Sequence, residues 1–466
     1  MTQSKGNMTI RLSLISVSLA GLLLAGCGSG NTPSSTTTNS GPTGMAFVIG
    51  TDAPMAAVTS FAVQVEGVEA VDGSGNKVSL LSGTPTVDFA RYNGLQTMLD
   101  LNGVPVGTYK SIVVTLGSAT LSYLNTQAGS APTIASEPAT LTTSTVTVNL
   151  ANPLVVSQTA PVGLRMDFDL SKSIQVNNGA ITGTVTPTFD IAAVASSDPG
   201  GYVDEFDAAI VSVNAAGQSF VIQGPHGRNF TVNVNGQTEF DNNESLSSLS
   251  TSSIVQISGT IDKADATIDA DEVAILSQDG FFATGQVTYV TPASGVANSF
   301  DLFVRGVLPT TTGLTLGQIA QVNLTGKENY FIYWMHNPLT QFLFNDMGLV
   351  PGQEVAIGGP GSGAANAQAV TTKRVALRQW GFNGTLVSGS VNASNNTFQM
   401  NVTGFAGQLV PGTVTVYVAN ATKFRNGPGK LTDVSSLTNV RVVGLLIKDP
   451  FSGAPVILAH YVDKMS

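Results

Sequence analysis

Beyond residue 45 one pattern governs this chain: apolar residues recur at every second position. That period belongs to strands whose side chains alternate between core and solvent. Phe61, Val63 and Val65 alternate with Ala62 and Gln64, and Val146, Val148 and Leu150 alternate with Thr and Asn. Phe230, Val232 and Val234 repeat the pattern, as do Val414, Val416 and Val418. Leu164, Met166, Phe168 and Leu170 alternate with Arg165, Asp167 and Asp169, which predicts a strand with a surface ladder of charges. Turn signals punctuate these runs at Asp72-Gly73, Asn93-Gly94, Asn102-Gly103, Asn178-Gly179, Asn235-Gly236 and Asn426-Gly427. No segment carries a sustained helical repeat with caps; short helical turns fit only near 92–101 and 243–250. The expected fold class is all-β.

A chain of 466 residues is long enough for roughly three domains. Lys and Arg number 20 against 30 Asp and Glu, a net charge of −10, and no basic run exists. Nucleic acid is therefore not an expected partner. A single Cys excludes internal disulfides and Cys-rich metal sites. No cofactor is expected.

The amino terminus reads as an export signal. Lys5 and Arg11 precede an apolar run, Leu12 to Gly26, interrupted by Ser and Gly. It is shorter than the about 20 residues of a permanent span and suits the core of a signal peptide over 1–26. The run closes on Leu24-Ala25-Gly26-Cys27, which resembles the lipobox of bacterial lipoproteins. The resemblance implies cleavage before Cys27, lipid on its thiol and acylation of the new amino group. Several acyl chains anchor stably where one is marginal. Gly28, where diderm lipoproteins kept in the inner membrane carry Asp, points by the same resemblance to the outer membrane. Residues 27–44 are rich in Ser, Thr, Gly and Pro and read as a flexible tether.

A composition break at Ser196–Gly201 separates a β-sandwich-like domain, 45–195, from a loosely repeating remainder. Each repeat opens with glycine (Gly201, Gly285, Gly384) and continues with a Phe-led strand from Phe220, Phe300 or Phe398. Thr238-Glu239-Phe240 and Thr422-Lys423-Phe424 correspond, while the middle repeat has Asn329-Tyr330-Phe331. A Val-rich strand then ends in Gly259, Gly358 or Gly444. The spacing of roughly 80–100 residues suits small β-barrel-like modules, placed at 201–277, 281–378 and 381–464 and strung like beads.

The first domain resembles the bacterial family called domain of unknown function 4382, on Phe47 to Pro54, Val63 to Glu69, Leu99 to Gly103 and Val106 to Lys110. The Thr51-Asp52-Ala53-Pro54 start and the Gly107-Thr108-Tyr109 strand entry are its more specific parts. The three later units resemble domain of unknown function 5666, the third most closely. These resemblances imply secreted lipoproteins with a sandwich domain and barrel modules. They bring no activity and no catalytic residues.

Candidate chemistry is sparse. His226, His336 and His460 are scattered, and no Gly-x-Ser-x-Gly elbow precedes a helix, so no Ser-His-Asp arrangement is expected. The acidic run Asp262, Asp265, Asp269, Asp271 and Glu272 lacks the Gly and closing Glu of an EF-hand loop and reads as a solvated hairpin; no metal site is expected. The sharpest feature is the aromatic stretch Tyr330 to Met335, followed by Phe342 and Phe344. Both faces of that strand are apolar, which fits packing between modules; exposed, Tyr330, Tyr333 and Trp334 would instead form a binding platform, joined by Trp380 and Phe382. The sequence thus leads to a lipid-anchored, non-enzymatic binding or scaffolding protein. Its expected partners are the membrane, through Cys27, and envelope polysaccharide or protein. A hydrolase with an unrecognised carboxylate pair and a purely structural spacer stand beside that reading.

Overall fold

The alternating stretches form strands. The computed structural model describes residues 42–466 except 54–57, 93–96, 126–130, 160–161, 178–179, 195–201, 224–228, 241–243, 263–266, 279–280, 293–294, 309–312, 333–341, 360–368, 411, 426 and 466. In chain order the amino-terminal part contains β1 (Thr43–Ala53), β2 (Val58–Asp72), β3 (Lys77–Ser79), β4 (Thr86–Asp88), β5 (Thr97–Pro105), β6 (Gly107–Asn125) and β7 (Thr133–Pro138). It continues through β8 (Thr140–Leu141), β9 (Thr145–Val156), β10 (Val162–Asp169), the single turn α1 (Leu170–Ser173), β11 (Ile174–Asn177), β12 (Ala180–Val185) and β13 (Phe189–Val194).

One sheet runs β13-β10-β1-β5; a second runs β3-β2-β6-β7, with β4 on β2 and β9 on β6. Their facing sides share one core, in which Val48, Leu164, Met166 and Phe168 join Phe61, Val63, Ile112 and Val114. Phe168 sits at its centre, with ring centroids 5.0 Å from Phe61, 5.2 Å from Phe89 and 4.7 Å from Phe189. Asn102-Gly103, expected as a turn, lies inside β5, where Asn102 and Gly103 register with Ala46 and Met45 of β1. Residues 97–105 are accordingly strand; in and beside the two regions expected to be helical, the turns are 3₁₀ segments at Phe89–Tyr92 and Leu246–Ser248.

The first barrel unit contains β14 (Tyr202–Asn214), β15 (Ser219–Gln223), β16 (Asn229–Asn233), β17 (Glu239–Phe240), β18 (Ile254–Asp262) and β19 (Thr267–Ser277). The second contains β20 (Phe281–Thr291), β21 (Ser299–Leu308), β22 (Ile319–Asn323), β23 (Asn329–Ile332), β24 (Glu354–Gly359), β25 (Ala369–Thr371) and β26 (Arg374–Arg378). The third contains β27 (Trp380–Leu386), β28 (Thr397–Val402), α2 (Gly404–Leu409), β29 (Thr413–Arg425), α3 (Leu431–Val434), β30 (Asn439–Lys448) and β31 (Pro455–Lys464).

One circuit underlies all three. In the third unit β27-β28-β29-β31-β30 close on themselves, with β29 and β31 parallel. In the first, β16-β15-β14-β18-β19 follow the same order, and the parallel pair β16–β19 closes the ring. In the second, the third and last strands are each split, so the ladder runs β23-β26-β24-β20-β21-β22-β25, and β25 at one end continues through Thr372 and Lys373 into β26 beside the other. This is the five-stranded Greek-key barrel of the OB type.

The repeat signals have physical causes. Gly259, Gly285 and Gly444 fall where the strand register shifts. A Cβ there would collide with the backbone carbonyl of Asp269, Phe303 or Leu458 on the neighbouring strand, so these positions accept only glycine. The hydroxyls of Thr238 and Thr422 donate to the carbonyls of Ala270 and Ala459 in the last strand, at 2.7 and 2.6 Å. Each also accepts a backbone N–H three residues earlier, from Asn235 and Ala419. In the middle unit Glu328 closes the corresponding turn, accepting from the Thr325 hydroxyl and the Gly326 amide.

The units do not hang as beads; Gly41–Ser466 form one compact unit. Phe47 and Ile49 of β1 turn away from Val48 and enter the core of the first barrel unit. Ile254, Ala274 and Leu276 pack on Phe282, Ala356 and Ala376 across the first and second units. Along β31, Val456 and Leu458 enter the core of the second unit while Ile457 and Ala459 fill that of the third. Strands apolar on both faces need cover on both, and the neighbouring unit supplies it.

Candidate functional site

Of the residues singled out from the sequence, Cys27, Tyr333 and Trp334 lie outside the described residues, as do His226 and His336. Tyr330 is half-buried in β23 against the core of the second unit, its ring 5.6 Å from Phe344. Its hydroxyl is buried with no hydrogen-bond partner among the described residues, and burial pushes its pKa up. Phe331, on the opposite face, packs at the contact between the first and second units. Phe342 and Phe344 are buried in the core of the second unit. Trp380 and Phe382 do not join a platform: both are buried in the core of the third unit.

The charged residues of β10 also depart from expectation. Asp169 is buried and caps α1; against the upward push of burial, the Lys172 ammonium at 2.6 Å, the Ser171 hydroxyl at 2.6 Å and the Lys172 amide at 3.0 Å hold its carboxyl below the usual range. Asp167 is half-buried, with one oxygen lacking a partner, and burial pushes its carboxyl up. Arg165 stays exposed, as the ladder predicts, but Asp167 and Asp169 do not. Asp269 of the acidic run accepts from Asn233 at 3.0 Å. Among the described residues no group of three His, Cys, Asp or Glu is placed to hold a metal ion.

What the fold brings together, and the alternation pattern missed, is a buried charge network where the sandwich meets the barrel units. Asp207 of β14 accepts from Arg91 of the sandwich at 2.8 Å, from Arg378 of β26 at 3.0 Å and from Gln256 of β18 at 3.2 Å. Arg378 is 0% exposed. Arg305 of β21 lies 4.0 Å from both Asp88 of the sandwich and Glu354 of β24, and stacks 4.3 Å over Trp380. His460 of β31 donates from Nδ1 to the Gln379 carbonyl at 2.7 Å. Buried charges hold only when paired, so each unit fixes its neighbour. Part of the signal was present in the sequence: in a chain only 11% charged, Arg378 follows the apolar run Val375-Ala376-Leu377, and Asp207 stands between Phe206 and the apolar run Ala208-Ala209-Ile210.

Between the first and second barrel units lies a cleft of about 440 Å³. Glu244 and Gln278 line it from one side, and Asn329, Phe331, Lys373 and Arg374 from the other; Gly358 and Gly359 contribute no side chains. The Arg374 guanidinium stacks 4.8 Å over Phe331 and approaches Glu244 to only 3.8 Å. Arg374 Nε and Glu244 Oε2 are buried with no hydrogen-bond partner among the described residues. Burial pushes the Glu244 carboxyl up, against Arg374 and a backbone N–H from Ile275. A second cavity of about 440 Å³, in the third unit, is lined by Asp433, Ser436, Asn439 and Lys464. Each of these two cavities carries a single carboxylate.

Fold and clefts together define an all-β protein, a sandwich carrying three Greek-key barrel units. Residues 44–183, within the sandwich, match the family model described as domain of unknown function (DUF4382). Residues 207–274 match that described as domain of unknown function (DUF5666); this match falls on the first barrel unit, whereas the sequence signals placed the third nearest to that family. No curated protein matches the chain.

Proposed function

We propose that the protein is exported, lipidated at Cys27 and held at the outer membrane, where it acts as a non-enzymatic binding or scaffolding protein. The observation that carries the binding reading is the cleft between the first and second barrel units, with two buried polar atoms that lack a partner among the described residues, set in a body whose units share cores. Support for the anchor is the run Leu24-Ala25-Gly26-Cys27 followed by the Ser/Thr-rich tether. The test is expression in a diderm host with labelled palmitate. The wild-type chain takes up label and sediments with outer membranes, while Cys27→Ala remains unlabelled and unanchored. Equal sedimentation of the two overturns the anchor; failure of the native protein to retain any envelope component in a pull-down overturns the binding reading.

A further inference from the structure

The cleft between the first and second barrel units has a definite chemical demand. Among the described residues Arg374 Nε is a buried donor without an acceptor, and Glu244 Oε2 a buried acceptor without a donor. Such groups cost free energy until something bonds to them. Arg374 Nη2 stands 3.8 Å from Glu244 Oε1, so the two side chains lie side by side and one ligand can meet both with an acceptor and a donor close together. Two cations, Lys373 and Arg374, face one carboxylate. Lys373-Arg374 is also the only place in the chain where two basic residues adjoin, within an overall net charge of −10. The ligand's acceptor is therefore anionic. Its donor is neutral, because a cation would meet two like charges. A carboxylate next to a hydroxyl on one ring satisfies both demands. The cleft volume lies within the about 300–1,000 Å³ of small-ligand sites.

We infer that this cleft binds a sugar acid, as a carboxylate-bearing unit of an acidic polysaccharide. Arg374 Nε and Lys373 take the carboxylate, Glu244 Oε2 accepts from the adjacent hydroxyl, and the Phe331 ring lines the wall beside them. This assignment rests on the binding reading above and names its ligand class.

The test is calorimetric titration of the purified full-length chain with trigalacturonate, with maltotriose as the neutral control and a carboxylate-terminated tripeptide and inorganic phosphate as competitors. Trigalacturonate is expected to bind and maltotriose not to. Arg374→Gln should weaken binding about tenfold or more, the effect of losing a charge-assisted hydrogen bond. Lys373 is exposed, so Lys373→Gln keeps the fold and should weaken binding by about threefold to tenfold; it decides the matter if Arg374→Gln does not fold. Affinity unchanged in Lys373→Gln, equal binding of maltotriose, or tighter binding of the tripeptide or phosphate overturns the assignment. Retention of some other envelope component in the pull-down, with no trigalacturonate binding, overturns the sugar-acid assignment and leaves the wider binding reading standing.

Discussion

His460 is surrounded so that it cannot carry a charge. Burial, aided by Lys423 and Arg425, lowers its pKa from 6.5 to about 3. Between those values the unfolded chain holds a proton that the folded chain refuses. Stability is therefore fully present above pH 6.5 and is lost as pH falls toward about 3. Lowering the pH from about 7 to 5.5 should cost about 1 kcal/mol, read from urea melts, and His460→Gln should flatten that dependence. A wild-type curve as flat as the variant's would show that His460 does not set it. The residue's neutrality was not legible in sequence, because Gln379 and Arg425 reach it only through the closed barrel. The candidate site shares this limit. Glu244 and Arg374 lie far apart in the chain and gave no local pattern, whereas the aromatic run at Tyr330 was visible and leads through Phe331 to the cleft wall they line.

At the scale of elements, the clearest sequence signal was also the most mechanical. The repeated glycines mark bulges where adjacent strands approach so closely that a methyl group meets backbone, which cannot move aside as a side chain can. Gly444→Ala should therefore destabilise the third barrel unit by about 1–3 kcal/mol, the usual scale of overpacking, whereas alanine at Gly389, where nothing lies within 4 Å but φ is +72°, should cost about 1 kcal/mol of backbone strain. Chemical denaturation of both variants checks the order, and an equal or smaller loss at Gly444 would contradict the carbonyl clash. Alternation located strands such as β2, β10, β16 and β29 correctly because each has one face that needs no partner outside its own core. It could not place Asn102-Gly103, whose turn propensity yields to pairing with β1.

At the scale of the molecule, Asp207 binds two guanidiniums from different units within the interior. Asp207→Asn removes the carboxylate that Arg91 and the fully buried Arg378 share and should cost about 3–5 kcal/mol. A chain packed as one body should show a radius of gyration of about 22 Å over 41–466. Small-angle scattering checks both: beads on a line would read far larger, and the variant should expand before it unfolds. The packing of units on one another was partly legible. Runs such as Phe281-Phe282-Ala283 and Val456-Ile457-Leu458-Ala459 break the period of two, and an unbroken apolar run is a request for cover on both faces.

The two-sided burial of β1 bears on how the polypeptide acquires its shape. Val48 needs β10, and Phe47 and Ile49 need strands that end only at Ser277. The first of the described strands is thus among the last to be satisfied, and folding of this body cannot simply follow the ribosome along the chain. A fragment cut after residue 194 would carry an oily stripe on its outer sheet, so the stretch that corresponds to the first family model is an incomplete folding body, prone to associate until the barrel behind it arrives.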